Sequence, residues 1–296
     1  MNILARFNIP ETRKTAIAAL FIAAFLWSTA GIAFRLLTVS HGVAISGYRS
    51  LFAALFYIVA FRSLPKMEGT RWFKVAILAH CGATTLFVVA NTLTTAANSI
   101  LLQFTASPIF ACIFLFFIFK KPLPKHDIIA TVLIFVGICI FFLDSLTLQM
   151  SPSMSLGNAI AVGAGAAFGL QAIVLKHTKM PRNAFTFANG LNVLIALPFI
   201  ILNPIGSLLD LALLAYLGVV QIGLSYLLFS FAVRKVAPLE LILIPALEPI
   251  LNPIWVVIFD GQMPSLLSVL GGLMIFVTVL AWSIYKEVYY RKQKLE

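Results

Sequence analysis

The feature that most limits what this chain can become is the repetition of long apolar runs. Ten of them follow one another at 15–37, 43–61, 73–93, 98–119, 127–147, 155–175, 184–203, 209–232, 238–259 and 265–285, separated by short connections. A hydrocarbon core of about 30 Å requires about 20 apolar residues of helix to cross it. Only helices and closed barrels satisfy every backbone polar group inside lipid. The expected fold class is therefore an all-α integral membrane protein with ten transmembrane helices. Barrel strands alternate over about 10 residues and do not produce long continuous runs, so a β-barrel is excluded. Composition agrees, at 61% hydrophobic and 10% charged, against about 45–50% and about 25% in a soluble domain. Residues 1–14 and 286–296 are left as short tails, and no connection is long enough for a soluble catalytic domain. The first run exceeds the length of a signal-peptide core and has no small-residue cleavage site after it, so it is expected to remain as a helix.

A net charge of +11 could suggest nucleic acid, but its placement argues for a membrane. Nineteen of the 21 Lys and Arg lie in the N-terminal tail, the connections 2/3, 4/5, 6/7 and 8/9, and the C-terminal tail. The positive-inside rule puts those regions, and both termini, in the cytoplasm. The two exceptions are Arg35 and Arg49. Asp144, Asp210 and Asp260 fall at the opposite helix ends. Cys81, Cys112 and Cys139 lie inside helices without metal-ligand spacing and read as small packing residues. No cofactor or metal is expected.

Sliding the sequence over itself by 141 residues aligns segments 1–5 with segments 6–10 without a gap. Pro108-Ile109 falls on Pro249-Ile250, and Ile134-Phe135-Val136 on Ile275-Phe276-Val277. Five crossings is an odd number, so the two halves, 15–147 and 155–285, must lie in the membrane with opposite orientation. Such inverted repeats are common in secondary transporters, whose substrate site lies near the midplane at the repeat interface.

The strings AFLWSTAGIAFRLL (24–37), GYRSLFAALF (47–56), VVANTLTTAANSILLQFTASPIF (88–110) and GLSYLLFSFAVRKVAPLELILIPALEPILNPIWVVIF (223–259) resemble the EamA-type branch of the drug/metabolite transporter superfamily. The resemblance covers nearly the whole chain. It implies a ten-helix bundle with segments 1–4 and 6–9 around a central cavity and segments 5 and 10 peripheral, exporting or exchanging small metabolites. The second half departs from the first at Phe168, where the first has Trp27, and at Gly190, where the first has Arg49. Polar specificity is expected to differ between the halves.

Within this frame the ionisable residues at bilayer depth are the functional candidates, since a charge there is costly and normally faces a cavity or a partner. Glu248 is the foremost, as a carboxylate for a cationic or amino-bearing substrate or as a proton carrier; a structural role between helices is the alternative. Pro245, Pro249 and Pro253 repeat every four residues along one stripe, each removing a backbone donor, and with Pro108 they are read as helix-bending. Arg49 cannot shed its charge and needs an acceptor, with Glu248, Asp144 and helix-end carbonyls as choices. His80 is a possible proton relay or a satisfied buried histidine. Glu240 reads as a local charge partner of Arg234 and Lys235. Asn91, Gln103, Gln171, Asn189, Asn192 and Gln221, with Ser107, supply polar groups at depth, either substrate contacts or interhelical bonds. Trp27, Tyr48 and Tyr226 could stack on a planar or cationic ligand. Gly165 and Gly169 form a small-xxx-small pair for close helix approach.

The expected function is a secondary transporter of a small polar or amphipathic metabolite in a bacterial cytoplasmic membrane, working by alternating access as efflux or proton-coupled exchange, monomeric or homodimeric. An uptake permease for a metabolite or vitamin in the same fold is the alternative. An integral membrane enzyme would need a catalytic motif, and HExxH, GxSxG and paired aspartates do not occur.

Overall fold

Hydroxyl caps set where several helices begin: Thr12, Thr70, Thr95, Ser151 and Ser207 each accept from a first-turn backbone N–H, which satisfies donors that have no partner inside the helix. The computed structural model describes residues 10–120, 122–143, 151–260 and 265–293. Its helices are α1 (Arg13–Ser28), α2 (Ala30–Leu36), α3 (Gly42–Phe61), α4 (Arg71–Leu93), α5 (Ala96–Phe117), α6 (Lys125–Phe142), α7 (Pro152–Val174), α8 (Pro181–Leu202), α9 (Leu208–Tyr216), α10 (Ser225–Ala232), α11 (Glu240–Leu243), α12 (Glu248–Asp260) and α13 (Leu266–Gln293). A π-helical segment, Leu217–Leu224, joins α9 to α10, and a 3₁₀ turn, Pro245–Leu247, joins α11 to α12. No strand occurs among the described residues.

Eight stretches are long and apolar enough to cross a membrane: α3, α4, α5, α6, α7, α8, the run from α9 through α10, and α13. Segments 1 and 9, expected as single helices, are helical but broken in two, which is where the structure departs from ten continuous spans. In segment 1 the Ser28 and Thr29 hydroxyls donate back to the carbonyls of Phe25 and Leu26, both at 2.7 Å. Such back-bonding bends a helix. In segment 9 Pro245 cannot donate to the carbonyl of Leu241, and the chain tightens into the 3₁₀ turn before α12 resumes. Pro108, by contrast, is accommodated inside α5. The side chains of Arg35, Pro253 and Asp260, and all of Asp144, lie outside what is described.

Packing follows a pattern that survives exchange of the two halves. Segment 3 (α4) lies on segment 6 (α7) as segment 8 (α10) lies on segment 1 (α1); segment 4 (α5) lies on segment 6 as the 3₁₀ turn and α12 lie on segment 1. Segment 2 (α3) pairs with segment 7 (α8), and segment 5 (α6) with segment 10 (α13), each pair mapping onto itself. Helices α5 and α7 approach backbone to backbone. A Cβ on Gly165 would stand 2.5 Å from the Gln103 carbonyl oxygen, and one on Gly169 would stand 2.6 Å from that of Ser107. Bulky apolar side chains such as Leu202, Val59 and Phe117 face outward, as lipid contact requires.

The peripheral pair is clipped by charge. The Lys286 ammonium donates to both carboxylate oxygens of Asp127, at 3.0 and 3.2 Å, and the Trp282 indole N–H donates to the same group at 3.0 Å. Both charged residues are buried. Lys286, expected at the start of a tail, therefore belongs to α13, which continues to Gln293. Asp210 is likewise buried: it accepts from the Thr38 backbone N–H at 2.9 Å and from the Ser207 hydroxyl at 2.9 Å, and so fixes the start of α9 to the segment after α2.

Candidate functional site

The bend in segment 9 has a geometric result. Glu248 opens α12 immediately after the 3₁₀ turn, and Pro245 and Glu248 together line a cavity of about 40 Å³ with Trp27 of α1, Arg49 of α3 and Gln103 of α5. That volume holds a few water-sized molecules, so the enclosure is contracted. The Glu248 carboxylate is half-buried and makes no hydrogen bond or ion pair with a described residue.

Arg49 is held from two sides. It donates to the Gln221 side-chain oxygen, and its guanidinium lies 4.9 Å from the centre of the Phe34 ring, a cation–π distance. Its Nε has no partner, although the residue is only 3% exposed. Of the acceptors expected for Arg49, neither Glu248 nor a described helix-end carbonyl is used and Asp144 lies outside the described residues; the acceptor is instead the amide of Gln221. Gln221 reaches it from the π-helical segment, and wide turns of this kind are frequent at functional positions. Gly218 in the same segment sits against α3, where a Cβ would stand 2.5 Å from the Arg49 carbonyl oxygen. The Gln103 side-chain oxygen is also buried without a partner.

Aromatic rings form the wall. Trp27 packs on Tyr226 with ring centres 4.9 Å apart and on Phe168 at 6.2 Å and 83°. Trp27 and Phe168 are equivalent positions of the two halves, as are Phe104 and Pro245, and all four line the same cavity. Thr84 and Phe87 of α4 complete it.

Several polar candidates lie elsewhere. His80 is fully buried behind Tyr226, its ring 4.4 Å from that ring; its Nδ1 donates to the Gln171 oxygen at 3.0 Å and its Nε2 faces the Asn189 amide nitrogen at 3.4 Å. These three form one polar cluster outside the cavity lining. Asn91 donates to the Phe87 carbonyl at 2.9 Å and accepts from Ser99 at 2.8 Å. The Ser107 hydroxyl donates to the Gln103 carbonyl of its own helix at 2.7 Å, so the repeat position equivalent to Glu248 is turned inward to α5. Tyr48 donates to the Ile200 and Asn203 carbonyls rather than facing the cavity. Glu240 is fully buried and paired with Arg13, not with Arg234 or Lys235.

Sequence reasoning singled out neither Phe34 nor Thr84. It also did not anticipate the cluster in which Asn192 accepts from Cys81 and Thr85, at 2.6 and 2.8 Å, and donates to Thr84 at 2.9 Å. A phenylalanine and a threonine in apolar helices carry no signal of the partners they meet, and Asn192, expected as a polar group at depth, carries none of which partners it finds. No group of three or more His, Cys, Asp and Glu among the described residues could hold a metal ion.

The relatives accord with this arrangement. The profile of the EamA-like transporter family matches twice, at residues 14–143 and 155–284. A Bacillus subtilis protein named uncharacterized transporter YwfM is 28% identical over 92% of this chain and 94% of its own length. Another from the same organism, uncharacterized transporter YxxF, is 24% identical over 77% of this chain and 76% of its own. A solved crystal structure superposes with a TM-score of 0.75 at 16% identity, covering 90% of this chain and 96% of the other, a likeness of fold. With both copies of the profile present, the chain belongs to the EamA-like transporter family, and it is a multi-pass membrane transporter.

Proposed function

We propose that the chain is a secondary transporter whose ten crossings form two inverted five-helix halves, moving a small polar or amphipathic solute across a bacterial cytoplasmic membrane by alternating access. Both termini lie in the cytoplasm, with efflux or proton-coupled exchange as the mode. The pairing pattern that survives exchange of the halves supports the inversion, because a structure of this kind can rock between two related arrangements. The broken segments 1 and 9 count as crossings 1 and 9, bent beside the cavity they line.

One observation carries the site. Glu248 is an intramembrane carboxylate that makes no hydrogen bond or ion pair with a described residue, in a cavity that also presents an arginine N–H and an amide oxygen for which no described residue is a partner. Unsatisfied polar groups at this depth are costly. A solute with a cationic or amino group for Glu248 and an acceptor for Arg49 would satisfy them together, while its apolar part rests on Trp27, Phe168 and Tyr226. Glu248 also suits exchange of a proton for a cationic substrate, since one carboxylate can hold either. His80, Gln171 and Asn189 fit a supporting role, fixing Tyr226 from behind.

The test is uptake into proteoliposomes of a panel of radiolabelled amino acids, polyamines, nucleosides and organic acids, with and without an imposed pH gradient, for the parent and Glu248→Gln. The parent is expected to move one class of solute and to respond to the gradient, with Glu248→Gln losing that response. Unchanged transport by Glu248→Gln under every gradient would remove the carboxylate from the mechanism. The direction of the gradient that drives uptake separates efflux from import.

A further inference from the structure

The charged groups where α1 begins are arranged unlike anything among the described residues at the other end of the bundle. Arg13, the first residue of α1, donates from its two terminal nitrogens to two carboxylates: Glu240, the first residue of α11, and Glu287 of α13. Glu240 is fully buried and also accepts from the Ala237 backbone N–H at 2.5 Å. One side chain of the first half thus ties together the two elements of the second half that cover this end. Between the tie and the cavity, every residue from Leu241 to Leu247 is buried, an apolar plug with no polar side chain.

The repeat makes the asymmetry legible. Moved by 141 residues, Arg13 becomes Met154 and Glu240 becomes Ser99. The counterpart positions at the opposite end therefore carry a thioether and a hydroxyl, which cannot form an ion pair. A link there among the described residues, Thr94 to Asn158 at 2.7 Å, is neutral. Two halves related by inversion would exchange their open ends at equal cost if their contacts were equivalent. Here they are not.

We infer that Arg13, Glu240 and Glu287 form an ionic latch that holds the α1 end of the pathway closed and biases the transporter toward the conformation open at the other end. Releasing the latch lets the segment before α11 swing away. A cavity of about 170 Å³ lined by Ala237, Pro238 and Leu239 on one side and by Asp127, Lys286 and Tyr289 on the other leaves room for that movement. Opening at the α1 end requires these charge-assisted pairs to part, and since such pairs are roughly twice as strong as neutral hydrogen bonds, the latch slows that opening. The inference rests on the transport reading but not on the solute or on Glu248.

The experiment reads conformation directly. Leu243→Cys, fully buried in α11, is placed in a chain whose Cys81, Cys112 and Cys139 are replaced by Ala, and a membrane-impermeant maleimide is applied from each side of reconstituted vesicles. Labelling from the α1 side is expected to be slow in the parent and at least about tenfold faster with Arg13→Gln. Parental labelling in a folded Arg13→Gln protein overturns the latch. If Arg13→Gln does not fold, Arg13→Lys is read instead: it keeps the charge but loses the two-pronged reach, and faster labelling supports the latch while an unchanged rate overturns it. Because no substrate is needed, this outcome is independent of whether Glu248→Gln impairs transport.

Discussion

The approach of α5 to α7 offers a prediction in which one substitution serves as its own control. Gly163 and Gly165 lie two residues apart in α7, and alanine at either gains the same intrinsic helix preference, about 0.8–1.0 kcal/mol. Their surroundings differ. At Gly163 the nearest atom to a new Cβ is a Leu86 methyl at 3.7 Å, an ordinary contact; at Gly165 it is the Gln103 carbonyl oxygen at 2.5 Å, with the Ala106 Cβ at 2.7 Å and the Ser107 nitrogen at 3.1 Å. The first two of those distances are shorter than any relaxed Cβ contact, and two of the three atoms are backbone, so α5 itself must move away. Overpacking of this kind costs about 1–3 kcal/mol. Gly163→Ala should be neutral or stabilising by about 1 kcal/mol, and Gly165→Ala should range from neutral to destabilising by about 2 kcal/mol net, a gap of about 1–3 kcal/mol between two identical side-chain changes. Thermal unfolding in detergent, followed by the fraction of monodisperse protein after heating, measures the gap as several degrees between the two midpoints. Since Gly165 faces the turn of α5 that carries Gln103, Gly165→Ala should also lower transport beyond its effect on stability. Equal midpoints for the two variants would refute the claim that α5 and α7 meet backbone to backbone.

Other perturbations follow from the same structure. Lys286→Met leaves Asp127 buried without its cation and should cost about 3–5 kcal/mol, whereas the double change Asp127→Leu with Lys286→Met should be milder than the single one; a double variant less stable than Lys286→Met in the heating assay would contradict a buried pair. Gln221→Leu removes the acceptor that holds Arg49 and should destabilise by about 1.5–3 kcal/mol while reducing transport, and Gln221→Glu should recover the stability; transport by Gln221→Leu at parental rates would rule out positioning of Arg49 through this amide. Pro245→Ala restores the donor for the Leu241 carbonyl and should leave thermal stability near that of the parent but slow turnover by about tenfold, since α11 and α12 can then join into one rigid helix. Unimpaired turnover in that variant would mean that the bend has no part in the cycle.

The helical class of the fold is plainly written in the sequence, because bilayer thickness forces apolar runs of one length and leaves short polar connections. The break at Pro245 is legible for a similar reason: a missing N–H is a property of the residue itself. The close approach at Gly165 and Gly169 follows from the absence of side chains at helical spacing. Trp27, Arg49, Gln103, Tyr226 and Glu248 could be picked out one by one, and the structure brings all five to one cavity. What the sequence withholds is partnership. Arg13 and Glu240 are 227 residues apart, and Asp127 and Lys286 are 159 apart, so no local pattern joins them. The widened turn that delivers Gln221 has no compositional marker beyond its flanking glycines. Ser107 has the repeat position of Glu248, yet a serine can satisfy itself on its own helix and a glutamate at that depth cannot.

The clip between Asp127 and Lys286 also imposes an order on assembly. Helix α6 leaves the ribosome long before α13, with 159 residues separating the two partners. Until α13 arrives, the Asp127 carboxylate lacks the Lys286 cation and must stay at the wet rim of the bilayer. The last helix to be made is thus the one that lets an early helix settle to its full depth. A nascent chain stopped before residue 286 holds both halves of the repeat nearly complete, yet its first half is still waiting for a lysine encoded at the far end of the second.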